Sequence, residues 1–326
     1  MTHFRPFRNT DTAALAALWN RGILGSSVAR PLSVHEFEAR VVGGPLFEAA
    51  GLIVAVRDGK AVGFAHAGFG PEAEDLGPRP RPLRLSYAMG TVAMLVVEPG
   101  GDDAETEAGL LAEALRYLRR RGASVVYAGG QYPLNPFYWG IYGGSEWAGI
   151  LGSHAPFLRT VTRAGFEPVS QTILLEADLS APESRDPRGF LLRRQTRVEV
   201  VEDAALPTWW HALALGDFRP TTHRLVSKED GVEYARAATW DMTWFGRRDG
   251  RARVGLIDME VAPAHRRKGY GRQLVNEILR LARAQATAAV AVQTRSTNTP
   301  ALALYQSLGF EPVETSTLFR LPGGAF

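Results

Sequence analysis

The chain repeats itself, and a repeat of this length commits it to building one fold twice. Gly165-Phe166-Glu167-Pro168-Val169 recurs letter for letter as Gly309-Phe310-Glu311-Pro312-Val313. Upstream, LVVEP ending at Pro99 lies over MEVAP ending at Pro263. From there LLAEALRYLRRRGASVVYAG runs without a gap over LVNEILRLARAQATAAVAVQ. The two prolines are 164 residues apart and the two GFEPV segments 144, so the first copy carries 20 additional residues, which fall within 131–153, QYPLNPFYWGIYGGSEWAGILGS. A chain of 326 residues also exceeds what one hydrophobic core usually serves.

Each copy reads alike: a helix rich in Ala, Leu and Trp, a hairpin, an apolar strand, an amphipathic helix, a strand, a second helix and a closing strand pair. The hairpin turns are Asp58-Gly59 and Asp230-Gly231, where glycine supplies the positive φ of a tight turn. The glycine of each GFEPV stops a helix and its phenylalanine starts the next buried run. Between the copies DLSAPESRDPRG is charged, proline-containing and almost free of apolar residues, which marks a linker at 179–189 and domains at 1–178 and 190–326. PEAEDLGPRPRP reads as a stiff surface connection.

With 45% hydrophobic and 22% charged residues the chain is an ordinary globular one. It has no apolar run near the roughly 20 residues a bilayer requires and no apolar leader after Met1, so a cytoplasmic location without a membrane partner is expected. The absence of cysteine removes disulfides, thiolate metal sites and cysteine nucleophiles, and the seven histidines show no ligand spacing, so no metal is expected. The net charge of +3 is uneven: residues 1–180 hold 16 basic against 18 acidic side chains, and residues 181–326 hold 21 against 16. An anionic ligand belongs in the second half, but the balance is wrong for a nucleic-acid binder.

The strongest chemical signal is Gly255 to Val275, GLIDMEVAPAHRRKGYGRQLV. A strand ends at Pro263, a basic segment with two glycines follows, and a helix starts near Tyr270. Such a helix start leaves backbone N–H groups without partners and carries partial positive charge. Arg266, Arg267 and Lys268 add full charges, and Gly269 and Gly271 lack the Cβ that would hold a pyrophosphate away.

These residues resemble the GNAT superfamily of acetyl-CoA-dependent N-acetyltransferases, whose signature Q/R-x-x-G-x-G/A follows a strand ending in V-x-P. Arg266, Gly269, Gly271, Val261 and Pro263 match it, and Asn298, Ala301, Leu304, Tyr305, Gly309 and Phe310 supply the second signature in order. The resemblance implies an α/β (α+β) fold class: two tandem GNAT folds, each a mixed, mostly antiparallel central sheet flanked by helices. It implies acetyl-CoA as acyl donor, held by Met259, Val261, Arg266, Arg267, Lys268, Gly269, Tyr270, Gly271 and Asn298. Among doubled chains the architecture is similar to that of mycothiol synthase, which acetylates a small amino-thiol precursor. The acceptor implied is a small-molecule or peptide amine, and the chain a monomer or homodimer.

Carrying the 164 offset through the loop sets Asp102 and Asp103 over Arg266 and Arg267, and Glu105 and Glu107 over the two glycines. His154 or Ala155 and Val161 stand where the second signature has Asn and Tyr. Like charges repel a pyrophosphate, so 1–178 is expected to keep the fold without binding acetyl-CoA and 190–326 to be catalytic. An alkyl amine has a pKa near 10.4 and needs a base before it can attack a thioester. The strand alternates, so Leu256, Asp258 and Glu260 share a face opposite Ile257, Met259 and Val261, which makes both carboxylates base candidates. Tyr305 can protonate the departing thiolate, and Asn298 orders a helix start. Direct transfer in a ternary complex follows, with a noncatalytic acyl-CoA sensor as the alternative. Trp209, Trp210, His211, Phe218, Trp240, Trp244 and Phe245 make the front of the second copy aromatic. The insertion's Phe137, Tyr138, Trp139, Tyr142 and Trp147 either cover the first copy or face the second.

Overall fold

The structure, a computed structural model, describes the chain except residues 24–25, 27, 74–81, 101–102, 131–134, 181–186, 207–211, 213–215, 244–249 and 324–326. The first copy runs β1 (His3–Pro6), α1 (Thr12–Gly22), α2 (Val34–Phe37), β2 (Leu52–Arg57), β3 (Lys60–Ala73), β4 (Pro82–Val97), α3 (Ala104–Arg120), β5 (Val125–Ala128), β6 (Ile150–Leu151), α4 (Ala155–Arg163) and β7 (Glu167–Asp178). The second runs α5 (Pro187–Gln195), β8 (Thr196–Val201), β9 (Thr221–Ser227), β10 (Glu233–Asp241), β11 (Arg253–Val261), α6 (Tyr270–Ala284), β12 (Ala289–Arg295), α7 (Thr299–Gln306) and β13 (Phe310–Arg320). The opening helix expected for the second copy lies largely outside the described residues.

In each copy the early strands pair antiparallel, and the pair joined through a helical crossover is parallel, β4 with β5 and β11 with β12. A parallel return needs such a crossover, and α3 and α6 provide it. Both are amphipathic. Leu274, Val275, Ile278, Leu279 and Ala282 of α6 fall at helical spacing and pack on Leu225, Leu256, Val290 and Val292. Leu110, Leu111, Ala114, Tyr117 and Leu118 of α3 do the same over Val92, Leu95 and Val126. Each fully buried leucine or isoleucine contributes about 1.5–3 kcal/mol. The Asp58-Gly59 turn has φ of 50° and 75° at its two residues, the two-residue geometry that its sequence predicts.

The compact units depart from the contiguous division at 1–178 and 190–326. One comprises Met1–Gly143, Trp147–Thr172 and Glu314–Phe326, and the other Gly144–Glu146 and Ile173–Val313. The closing strands have changed places: Phe319 and Arg320 of β13 pair with Ala128 and Tyr127 of β5, while the Ile173–Asp178 part of β7 belongs to the unit of β12. In place of the expected closing pair each copy contributes one long strand, with short β6 beside β13. The physical reason is the repeat itself. The change of unit comes just after the shared GFEPV segments, at Ile173 and Glu314, and two copies of one fold offer alike edges to either strand there, as in domain swapping. Of the expected linker, 181–186 lie outside the described residues, and its end is the first turn of helix α5.

Candidate active site

The site begins where two parallel strands part. The β11–β12 ladder runs from Arg253↔Ala289 to Leu256↔Val292 and ends there. One residue past Ile257, Asp258 has φ of 51°, and the pairing with β10 slips so that Asp258 and Met259 together oppose Ala237. This is a β-bulge, which adds a residue, bends the strand and re-aims its side chains. The edge of β11 from Ile257 to Val261 is thereby left beyond the ladder.

The bulge overturns the simple alternation. Cross-strand partners share a face. Leu256 and Val261 therefore lie on the side of Thr239 and Ala235, while Ile257 and Glu260 lie on the side of Ala238 and Arg236. Asp258 and Glu260 are not a matched pair on one regular face. Glu260 accepts a hydrogen bond from Arg236 Nη2 at 3.1 Å, and Asp258 is exposed on the bulge itself. Met259 and Val261 pack against the core beneath α6.

The basic loop follows. Pro263–His265 make one helical turn, and Arg266 Nε donates to the Val261 carbonyl at 3.1 Å. Arg267 and Gly269 take left-handed backbone, φ 63° and 89°, and α6 starts at Tyr270. Its first intrahelical bond runs from Gln273 N to Gly269 O at 3.0 Å, and no side chain caps it. The amides of Tyr270, Gly271 and Arg272 thus precede the helical ladder, at the positive end of the macrodipole. Arg266, Arg267, Lys268 and Gly269 are exposed around them. The glycines differ in use. Gly269 serves its left-handed turn, whereas a Cβ on Gly271 would come 3.2 Å from Met259 Cε and Val261 Cγ2, so that glycine seats the helix on the bent strand. Tyr270 packs on Tyr234, centroids 4.4 Å apart, and burial followed by the Tyr234 charge raises its pKa.

Asn298 caps α7, accepting from Ala301 N at 3.4 Å while its Nδ2 donates to Thr294 Oγ1 at 3.1 Å. Tyr305 is 4% exposed, its ring centroid 5.4 Å from that of Phe310. Burial, then the negative charge of Glu146, pushes its hydroxyl well above the ordinary phenol range, so it stays protonated.

Some residues at this mouth went unread in the sequence. Gln293, the first residue of β12 past the last ladder pair, touches Gly144 so closely that a Cβ there would strike its Oε1. Trp240 Nε1 donates to the Ser145 carbonyl at 2.9 Å. A Cβ on Gly255 would come 2.6 Å from the same indole nitrogen, so glycine lets the ring lie on β11. The signal available was charge: Glu146 is the one charged residue in 131–153. The insertion's other aromatics pack in the first unit, with Tyr138 stacked on Trp19 at 5.6 Å and Trp139 on Trp147 at 5.0 Å. Phe218 packs on Trp240 at 5.0 Å, whereas Trp209, Trp210, His211, Trp244 and Phe245 lie outside the described residues.

The first copy keeps the frame and fills it. Its parallel ladder runs from Met89↔Val125 to Val92↔Ala128, with a register slip between His66 and Ala67 at the matching place. Asp103 caps α3 by accepting from Thr106 N at 3.2 Å and pairs with Arg57. Glu107, opposite Gly271 in the repeat, is 1% exposed; it pairs with Arg159 and accepts from Thr160 Oγ1 at 2.9 Å. His154 stands at the place of Asn298, its Nδ1 2.6 Å from Tyr142 Oη, and buried Val161 replaces Tyr305. Glu105 is exposed, and Asp102 lies outside the described residues.

Residues 190–310 match the family profile described as the Acetyltransferase (GNAT) family. This segment is a GNAT acetyltransferase domain. No curated protein matches the chain. Among solved structures, a tandem GNAT protein from the clavulanic acid biosynthesis pathway is 15% identical over 99% of both chains, with a TM-score of 0.64. A GCN5-related N-acetyltransferase from Sphaerobacter thermophilus is 15% identical over 99% of this chain and 96% of its own, with a TM-score of 0.63. The glucosamine N-acetyltransferase region of a fungal multi-domain GH3 β-N-acetylglucosaminidase is 17% identical over 98% of this chain, TM-score 0.70, and this chain spans 38% of that protein's length. These likenesses show the fold, two GNAT folds in tandem. The family takes an acyl-CoA as donor. Among the described residues there is no metal-holding group of side chains and no helix long and apolar enough to cross a membrane.

Proposed function

We propose that the second GNAT copy moves an acetyl group from acetyl-CoA to a primary amine by direct attack in a ternary complex, and that the first copy binds no acetyl-CoA. One observation carries this reading: α6 starts uncapped behind Arg266, Arg267 and Lys268, beside a bent strand edge that has left its ladder. A pyrophosphate suits that cradle, since it brings acceptor oxygens to the free amides and opposite charge to three cations. The open edge at Met259 and Val261 can pair with an extended, amide-containing arm as a further strand would. The thioester then lies toward Tyr305, whose buried hydroxyl keeps its proton for the leaving sulfur. Asn298 holds the start of the helix that carries Tyr305. Of the two carboxylates on β11, Glu260 is tied to Arg236 and Asp258 faces solvent on the bulge.

Thiol release from acetyl-CoA against a panel of amines (tyramine, spermidine, glucosamine and a lysine peptide) tests the reading. Tyr305→Phe should lower turnover about 100-fold and leave the acetyl-CoA Kd, measured by calorimetry, unchanged. Equal turnover by the variant removes Tyr305 as donor. Tight acetyl-CoA binding with no turnover of any amine would make the chain a sensor.

A further inference from the structure

We propose that two chains pair through the outer strand of the second unit, β8 against β8, antiparallel about a two-fold axis at Val198. This surface takes no part in the acetyl transfer proposed above.

The backbone offers the contact. β8 pairs with β9 and ends the strand order, so among the described residues its far side has no strand partner. A row of unpaired N–H and C=O groups invites another strand, and outer strands are commonly blunted by proline, a bulge or shortness. β1 of the first unit follows that rule, with four residues ending in Pro6. β8 does not. Its six residues, Thr196-Arg197-Val198-Glu199-Val200-Val201, include neither proline nor lysine, and they pair with β9 from Thr196↔Ser227 to Val201↔Thr222 without a slip.

The side chains choose the partner and the register. Val198 packs on the core beneath α6 beside its cross-strand partner Leu225. Thr196, Val198 and Val200 therefore share that face, and Arg197, Glu199 and Val201 share the other. A two-fold axis that extends the sheet keeps each face continuous, so it must pass through a residue facing itself. An axis at Arg197 would oppose two guanidiniums, and one at Glu199 two carboxylates. An axis at Val200 leaves Glu199 against Val201 and shortens the overlap. At Val198, Arg197 of each chain faces Glu199 of the other. Within one chain Arg197 Nη2 already donates to Glu199 Oε1 at 2.8 Å, on a face open to solvent. Across the axis each charge gains a second opposite neighbour, and charges that discourage a foreign strand favour this one.

Apolar surface lies in the same place. Helix α5 leads straight into β8 and leaves Phe190 and Leu191 64% and 63% exposed, while Val200 near the end of β8 is 47% exposed. Leu192 lies against Gly269 and Arg193 pairs with Glu277, which puts α5 on the side that α6 covers, the side of Val200. Antiparallel pairing carries the start of one β8 to the end of the other. Phe190 and Leu191 are thereby brought toward Val200 of the other chain, which removes apolar surface from water.

Sedimentation of the full chain is the test. At about 10 μM the parent should run at twice the mass of one chain. Arg197→Glu and Glu199→Arg each set like charges across the axis, and each should weaken self-association at least about 10-fold. Mixed one to one, the two variants again meet with opposite charges, and the double-mass species should return. Misfolding would not be repaired by mixing. If either variant does not melt cooperatively, Val200→Asp serves instead: it should keep the parent's melting temperature and lose the double-mass species. A parent that sediments as one chain overturns the proposal. So do single variants that keep the double mass, a mixture of folded variants that stays at single mass, or an assembly larger than two, because a two-fold pairing of edges closes on itself. The readout is mass, so it stands or falls separately from the acetyl-transfer reading.

Discussion

The two copies share a frame down to its irregularities and differ in what stands inside it. Both have four-pair parallel ladders, ending at Val92↔Ala128 and Leu256↔Val292, and both have a register slip just beyond. The parting of the strands is thus a property of the fold. What separates the copies is a handful of side chains. Where the second has Arg267, Gly271, Asn298 and Tyr305, the first has Asp103, Glu107, His154 and Val161. In the first, a carboxylate caps the crossover helix and another is neutralised by Arg159; in the second, the helix is left open and ringed by cations. One copy satisfies its helix start with a side chain of its own, and the other has no side-chain cap there.

The largest effect should come from moving one residue across this divide. Gly271→Glu reproduces Glu107 in the second copy, where its Cβ would press on Met259 and Val261 and its charge would face the incoming pyrophosphate. Acetyl-CoA affinity should fall at least about 1,000-fold, roughly 4 kcal/mol. Calorimetry showing near-parental binding would sink the electrostatic contrast.

The converse change sharpens the comparison. Glu107→Ala leaves Arg159 without its carboxylate at a site where the acid is 1% exposed. Breaking a buried pair costs about 3 kcal/mol, and Arg159 is itself only about one-third exposed. The N-terminal unit should lose that much in denaturant unfolding, while acetyl-CoA binding to the full chain stays as before. Loss of binding would show that the first copy's pair matters to the second copy's ligand.

How far the sequence foretold all this depends on range. Local chemistry was readable: Asp58-Gly59 makes its turn and Asn298 its cap, because each is decided within a few residues. The repeat register carried Glu107 onto Gly271 for the same reason. The strand exchange was not readable, since it begins beyond the shared GFEPV segments, where pairing is decided between residues far apart in the chain. Nor was the bulge, because it falls at Asp258 with no glycine to mark it, and it broke the alternation that had grouped Asp258 with Glu260. Gly144–Glu146 were missed because their partners, Trp240 and Gln293, lie about 95 and 149 residues away along the chain, where no local pattern reaches.

The smallest of these effects separates the copies by acid. Among the described residues the first copy buries His66 and His154 with pKa values near 3 and 4, the second only His223, near 4, and burial is the cause in each case. An imidazole held neutral in the folded state contributes fully above the unfolded value of about 6.5. As pH falls below that value the unfolded chain takes up a proton that the folded chain refuses, so stability drops until the folded pKa is reached. Between pH 6.5 and 5 each such histidine costs about 2 kcal/mol, and the N-terminal unit, with one more of them, should lose about that much beyond its neighbour. Hydrogen exchange followed unit by unit at the two pH values measures the difference directly. Equal loss in both would mean that Tyr138 and Tyr142, which stand against the two imidazoles at 3.1 and 2.6 Å, accommodate the charged ring.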